Sequence, residues 1–142
     1  MLLNKSILLL DEDPEILAFL TVLLEERGPR VLRARSRMEM LEILSRPYVQ
    51  VDLILANIVI THLSDSDFEQ EVASLRTRVP VLYMSAFVEQ GVIRIEMMKR
   101  PYPVQGSMTL SSSAGFAAGE EDNVINAVIS ALTRHVAGAG AS

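Results

Sequence analysis

Several polar side chains stand at or beyond the ends of strongly apolar runs, and together they could bind a metal ion and a phosphoryl group. Two carboxylates follow the first run, an amide closes the middle run, a hydroxyl ends a later run and two cations come further on: Asp11, Glu12, Asn57, Ser85, Lys99 and Arg100. Carboxylate oxygens are ligands for Mg²⁺, and a hydroxyl with a cation can stabilise phosphoryl charge. This chemistry requires a fold that brings the six residues to one place.

The apolar runs that carry these residues have the pattern of buried strands separated by helices. The predicted strands are "SILLL" (6–10), "RVLRA" (30–34), the run 51–57, "VPVLYMSA" (79–86) and "VIRIEMM" (92–98). Strands that alternate with helices predict a parallel sheet covered on both faces, with right-handed crossovers. In such a sheet the carboxyl ends of strands 1, 3 and 4 lie close together, so Asp11, Asn57 and Ser85 should meet.

Helical spacing fills the intervals between the strands. Asp13 and Pro14 predict the start of a first helix, because an N-cap acceptor is followed by proline at the first helical position. Later helices are predicted after Ser36, over 66–78 and over 120–136. Only "FVEQG" (87–91) is left for a helix between the fourth and fifth strands, so that helix should be shortened or missing.

Length and composition indicate one domain with its own core. The chain has 142 residues, of which 49% are hydrophobic, and we expect a single domain over 1–137. Within it, residues 103–119 are rich in Ser, Gly and Ala and predict a flexible loop, and 138–142 predict a disordered tail. The absence of cysteine excludes a disulfide framework, a thiolate zinc site and a cysteine nucleophile.

Charge and targeting signals narrow the function further. The net charge of −5 argues against nucleic-acid binding. No signal peptide and no apolar stretch of membrane-spanning length are present, so a cytoplasmic location without membrane contact is expected. Five arginines in 27–37 predict either an edge strand protected by charge or a patch for an anion or acidic partner.

Four stretches of the sequence carry a family resemblance, in this order: "ILLLDEDPEILAFLTVLLEERG", "VDLILANIVI", "VPVLYMSA" and "KRPY". They resemble, respectively, the opening, the third strand, the fourth strand and the Lys-Pro-aromatic turn of receiver domains of two-component response regulators. The resemblance covers residues 5 to about 102 and, loosely, the final helix. It implies a flavodoxin-like (CheY-like), doubly wound, five-stranded parallel sheet with strand order 2-1-3-4-5.

The resemblance assigns roles at the centre of the site, and one residue departs from the family. Asp11 and Glu12 match the metal-binding acidic pair, and Asn57 matches the aspartate that receivers phosphorylate. A carboxylate oxygen attacks phosphorus as a nucleophile, whereas an amide oxygen carries no negative charge, so Asn57 should not be phosphorylated. Asp11 and Glu12 either retain a residual Mg²⁺ site or only cap the first helix, and no cofactor is required.

The outer positions of the site also depart from the family. Ser85 matches the hydroxyl that contacts the acyl phosphate. The alternative is that Ser85 is only a small residue that fits a crowded strand end. The phosphate-contacting lysine falls at Arg100, or at Lys99 with a one-residue slip, and arginine does not reproduce lysine geometry. Met97 stands at the usual aromatic switch position. The surface that receivers use to meet partners should therefore be reshaped.

The leading hypothesis is a pseudo-receiver, which is not an enzyme and acts in signal transduction without aspartate phosphorylation. It would bind a signalling protein, which could be a histidine kinase, an output protein or a second copy of itself. This hypothesis rests on Asn57, which stands in a sequence that otherwise resembles a receiver domain.

Two alternatives stay open. "LLLDEDPEI" has the form of the first motif of haloacid-dehalogenase-like phosphatases, with Asp11 as nucleophile and Asp13 as general acid/base. The later motifs of that Mg²⁺-dependent reading would be Ser85, Lys99 and Glu121/Asp122. The other alternative is a receiver phosphorylated elsewhere, in the loop after the third strand, with these candidate acceptors: Ser64, Asp65 and Asp67.

Overall fold

The centre of the molecule is one five-stranded sheet. A computed structural model describes residues 4–57, 66–76, 78–98 and 124–132. The strands are β1 (Ser6–Leu10), β2 (Arg30–Ala34), β3 (Leu53–Asn57), β4 (Val81–Glu89) and β5 (Val92–Met98). They lie in the order β2-β1-β3-β4-β5, and β1 to β4 are parallel. This confirms the flavodoxin-like (CheY-like) fold class and the strand order 2-1-3-4-5.

Four helices flank the strands, and the first three begin where the sequence predicts. They are α1 (Pro14–Glu25), α2 (Arg37–Leu44), α3 (Ser66–Leu75) and α4 (124–132). The Asp13 carboxylate accepts the N–H of Glu15 at 2.9 Å, and the Ser36 hydroxyl accepts the N–H of Glu39 at 3.1 Å. Both predicted N-caps are therefore confirmed, and each satisfies a backbone donor that has no partner within its helix.

The sheet lies between two layers of helices, each with its own apolar cluster. Helices α1 and α4 pack on one face, and α2 and α3 pack on the other. All residues of β1 and β3 are buried, which explains why these strands are continuously apolar instead of alternating. Burial of each Leu or Ile side chain contributes roughly 1.5–3 kcal/mol, so these two strands anchor the site at their carboxyl ends.

The fifth strand corrects the expectation of an all-parallel sheet. β4 and β5 are antiparallel and form a hairpin, with Glu89 opposite Val92. The turn residues Gln90 and Gly91 have φ values of 53° and 78°, as a two-residue type I′ turn requires. The helix between β4 and β5, which the sequence predicts to be shortened or missing, is missing from this part of the described chain, because "FVEQG" continues β4 and makes the turn. With the strand running back at once, no crossover is needed between β4 and β5.

Some predicted features lie outside the described residues. These are the loop 103–119, the tail 138–142 and most of the loop after β3. Of the final helix predicted over 120–136, residues 124–132 are described and helical. No described helix is long and apolar enough to cross a membrane.

Candidate functional site

The carboxyl ends of β1 and β3 bring two predicted site residues together. Leu10 pairs with Ala56, which places the next residues, Asp11 and Asn57, side by side at the edge of the sheet. The Asp11 N–H also donates to the carbonyl of Ala34 at 3.1 Å, which fixes the backbone against β2. Asp11 is 1% exposed and Asn57 is 4% exposed. The predicted meeting of these two side chains is confirmed.

The Asn57 amide connects three strands. Its Nδ2 lies 2.9 Å from Asp11 Oδ2 and 2.8 Å from the carbonyl oxygen of Ala86. Both neighbours are hydrogen-bond acceptors, and only the nitrogen of an amide can donate to them. The amide NH₂ therefore faces Asp11, directly after β1, and Ala86 on β4, and both of its hydrogens are used.

The Asp11 carboxylate is buried, and its neighbour Asn57 donates a hydrogen bond to it but carries no positive charge. Burial raises the pKa of Asp11 above its ordinary value of 3.8. Hydrogen bonds from the Asp13 N–H, at 2.9 Å, and from the Asn57 amide partly oppose this rise in pKa. The negative charges of Asp13 and Glu12 add to the rise.

We expect the stability of the protein to fall as the pH rises through the titration of Asp11. A carboxyl with a raised pKa binds its proton more tightly in the folded chain than in the unfolded chain, so ionisation above pH 3.8 favours unfolding. Each unit of rise in the pKa costs about 1.4 kcal/mol once ionisation is complete. The variant Asp11→Asn lacks this term.

Urea denaturation of both proteins between pH 3.5 and pH 7 measures the effect. The free energy of unfolding of Asp11→Asn is subtracted from that of the natural protein at each pH, which removes the contributions of the other acidic residues. The free energy of unfolding of the natural protein, relative to that of Asp11→Asn, should decrease with pH. A flat difference would contradict the raised pKa.

The contacts of the acidic residues disfavour Mg²⁺ binding at this place. Asp11 Oδ2 accepts a hydrogen bond from the Asn57 amide at 2.9 Å and Asp11 Oδ1 accepts one from the Asp13 N–H at 2.9 Å, so both oxygens of the carboxylate are bonded to protein donors. Glu12 is exposed, and the Asp13 carboxylate caps α1. Among residues 4–57, 66–76, 78–98 and 124–132, no group of three or more His, Asp or Glu side chains is arranged to hold a metal ion.

A cavity of about 580 Å³ opens above the Asp11–Asn57 pair. On one side it is lined by the acidic turn and the start of α1, and on the other by Ala86, Phe87 and Val88 of β4. Sequence reasoning missed Phe87 and Val88 as site residues because it placed them in a remnant helix. The signal was present: two runs rich in β-branched and aromatic residues are separated by two residues, Gln90 and Gly91.

The remaining predicted site residues have different positions. Ser85 is half-buried in β4 opposite Glu96 and is not among the residues that line this cavity. Met97 pairs with Met84 in the hairpin, and Asp67 is exposed in the first turn of α3. The others lie outside the described residues: Ser64, Asp65, Lys99, Arg100, Glu121 and Asp122.

A second cavity, of about 410 Å³, lies at the opposite edge of the sheet. It is lined by residues at the amino ends of β1 and β2, including Lys5, Glu25 and Arg30. It contains none of the predicted site residues, so the Asp11–Asn57 end of the sheet remains the candidate site.

The strand order and the two helical layers give this chain the fold of a response-regulator receiver domain. No protein-family model and no curated protein matches the chain. Among solved structures it is similar to a response regulator receiver domain protein from Clostridium thermocellum, with 28% identity and a TM-score of 0.50. That similarity covers 56% of this chain and 63% of the other, so the chain spans less than two thirds of that structure.

Two further solved structures are similar. The non-phosphorylated HemR receiver domain from Leptospira biflexa has 24% identity and a TM-score of 0.49, over 61% of this chain and 68% of its own. A fusion that contains a trimeric coiled coil of yeast Spc42 has 22% identity and a TM-score of 0.66, over 100% of this chain and 89% of its own. The similarity to the Clostridium protein supports the receiver-domain fold of this chain.

Proposed function

We propose that this chain is a pseudo-receiver that acts in signal transduction by binding a protein partner and is not phosphorylated at position 57. The observation that carries the proposal is the Asn57 amide, which stands at the centre of the site and donates to Asp11 and to Ala86. The partner would be a histidine kinase, an output protein or a second copy of the chain. A cytoplasmic location without nucleic-acid binding belongs to the same proposal.

The chemistry of Asn57 supports this proposal. Attack on phosphorus needs an oxygen with an available lone pair and negative charge, and the electrons of an amide are delocalised over its C–N bond. The NH₂ group of Asn57 is also committed to two acceptors in a site that excludes solvent. Position 57 therefore lacks both the charge and the freedom of a nucleophile.

The altered surface beside the site is the second support. The β4–β5 hairpin takes the place of a helix and puts Phe87 and Val88 next to the acidic turn. A partner that approaches this side meets an apolar strand end, so its contacts must differ from those made to a helical surface.

The test is the intact mass of the protein after incubation with acetyl phosphate and Mg²⁺, run beside Asn57→Asp. The natural protein should keep its mass, and the variant should gain one phosphate, because the substitution restores a carboxylate at the end of β3. The variant Asn57→Ala is the matched control, since it removes the amide without adding a nucleophile. A phosphate on the natural protein would overturn the proposal.

The same samples address the alternatives. Peptide mapping of a modified natural protein would identify an acceptor at Ser64, Asp65 or Asp67. Hydrolysis of a generic phosphate ester that disappears in Asp11→Asn would point to the phosphatase, a prediction that no described contact favours. Asp13 caps α1, which is the contact expected if the chain is a pseudo-receiver and Asp13 is not a general acid/base.

A further inference from the structure

The register of the β4–β5 hairpin determines which backbone groups of β4 face β3. A two-residue turn closes the hairpin on the pair Glu89 and Val92, which exchange hydrogen bonds. Bonded and non-bonded pairs then alternate, so the pair of Phe87 with Arg94 is bonded and the pair of Ala86 with Ile95 is not. The carbonyl of Ala86 therefore points away from β5 and toward the end of β3.

That carbonyl is buried and lies beyond the last described backbone pair between β3 and β4. The pairing of these strands ends, within the described residues, at Asn57 and Met84. Ala86 is 6% exposed, and its oxygen accepts a hydrogen bond from Asn57 Nδ2 at 2.8 Å. The side chain of Asn57 thus bonds β4 two residues past the last described backbone pair of these strands.

We propose that Asn57 is a positioning residue for the hairpin. Its amide extends the β3–β4 ladder by one hydrogen bond and holds β4 in line past the end of β3, while the other hydrogen ties the same point to Asp11. An aspartate at this position would turn a carboxylate toward two acceptors and could not make this connection. Asn57 and the hairpin that replaces a helix are therefore linked features of the chain.

This inference goes beyond the proposed function, because it concerns how the hairpin is held, whatever binds to it. It predicts that removing the amide loosens the hairpin more than the rest of the sheet. Amide hydrogen exchange resolves such local opening residue by residue.

The experiment compares exchange rates by NMR in the natural protein, in Asn57→Ala and in the control Ile7→Val, which trims a core residue near the amino end of β1. In Asn57→Ala the hairpin amides of Phe87 and Arg94 should exchange about tenfold faster relative to the amide of Leu9 in β1. In Ile7→Val all three amides should accelerate by similar factors, as expected for a loss of global stability.

Equal acceleration of hairpin and β1 amides in Asn57→Ala would overturn the inference. If Asn57→Ala does not fold, Asn57→Ser retains one donor, and its hairpin amides should still exchange faster than those of β1, by a smaller factor. No phosphodonor or partner enters the measurement, so its outcome is independent of the proposed function.

Discussion

Replacing Asn57 by aspartate is expected to lower the free energy of unfolding at pH 7, in metal-free buffer, by roughly 2–4 kcal/mol. The substitution changes almost no volume, but it puts a second carboxylate where the amide now lies 2.9 Å from Asp11 Oδ2. It also leaves the buried carbonyl of Ala86 without the donor that bonds it at 2.8 Å. Two like charges then share a site with almost no access to water, and the Ala86 carbonyl has lost its side-chain donor.

The loss in Asn57→Asp should shrink under two conditions. At pH 5, one proton can be shared by the two carboxylates, because repulsion raises the pKa of one of them in the folded chain, so folding takes up a proton and acid favours the folded state. Millimolar Mg²⁺ should also stabilise the variant, since paired carboxylates attract the ion and binding to the folded state adds to its stability.

Urea denaturation at pH 5 and pH 7, with EDTA or with Mg²⁺, measures these effects. Asn57→Ala is the control: it should lose stability through the two lost hydrogen bonds. It gains no second carboxylate, so its response to acid should come from Asp11 alone and be smaller than that of Asn57→Asp, and it should respond little to Mg²⁺. The natural protein should respond little to Mg²⁺. Equal stability of Asn57→Asp and the natural protein at pH 7 would mean that the amide contributes nothing as a donor.

The sequence was sufficient to predict the parts of the fold that depend on local patterns. β1, β2 and β5 have the predicted bounds, because each is a short apolar or alternating run between clear turn signals. The helix starts at Asp13 and Ser36 follow from cap chemistry, which acts over two or three residues. The meeting of Asp11 with Asn57 follows from the rule that parallel strands present their carboxyl ends at one edge.

The features that the sequence did not reveal depend on contacts between distant residues. β5 has the predicted residues but the opposite direction, because direction is determined by the Gln90–Gly91 turn and not by the apolar pattern of the strand. A turn with Gln at a positive φ is a weaker signal than Asn-Gly, since long side chains seldom adopt that conformation. The donor function of Asn57 toward Ala86 spans 29 positions of sequence and becomes visible only when the hairpin is in place.

Truncation of Phe68 to alanine is expected to lower the free energy of unfolding by about 3–5 kcal/mol, because its fully buried ring joins α3 to the sheet. The ring meets Tyr83 of β4 edge to face, with 6.1 Å between centroids. The guanidinium of Arg37 lies 5.3 Å from the centroid of the Phe68 ring and pairs with Glu71 at 2.7 Å. Aromatic and cation–π contacts of this kind each add about 0.5–1.5 kcal/mol to the effect of burial.

The control for this prediction is Phe68→Leu, which keeps most of the buried volume but loses both ring contacts. Its loss of stability should be less than half that of the alanine variant if burial dominates, and nearly as large if the contacts with Tyr83 and Arg37 dominate. Thermal and urea denaturation of the three proteins distinguish the two cases. Because the Tyr83 hydroxyl also donates to Glu69 of α3 at 3.0 Å, a loss below about 1 kcal/mol in Phe68→Ala would mean that this bond, and not the ring, holds α3 on β4.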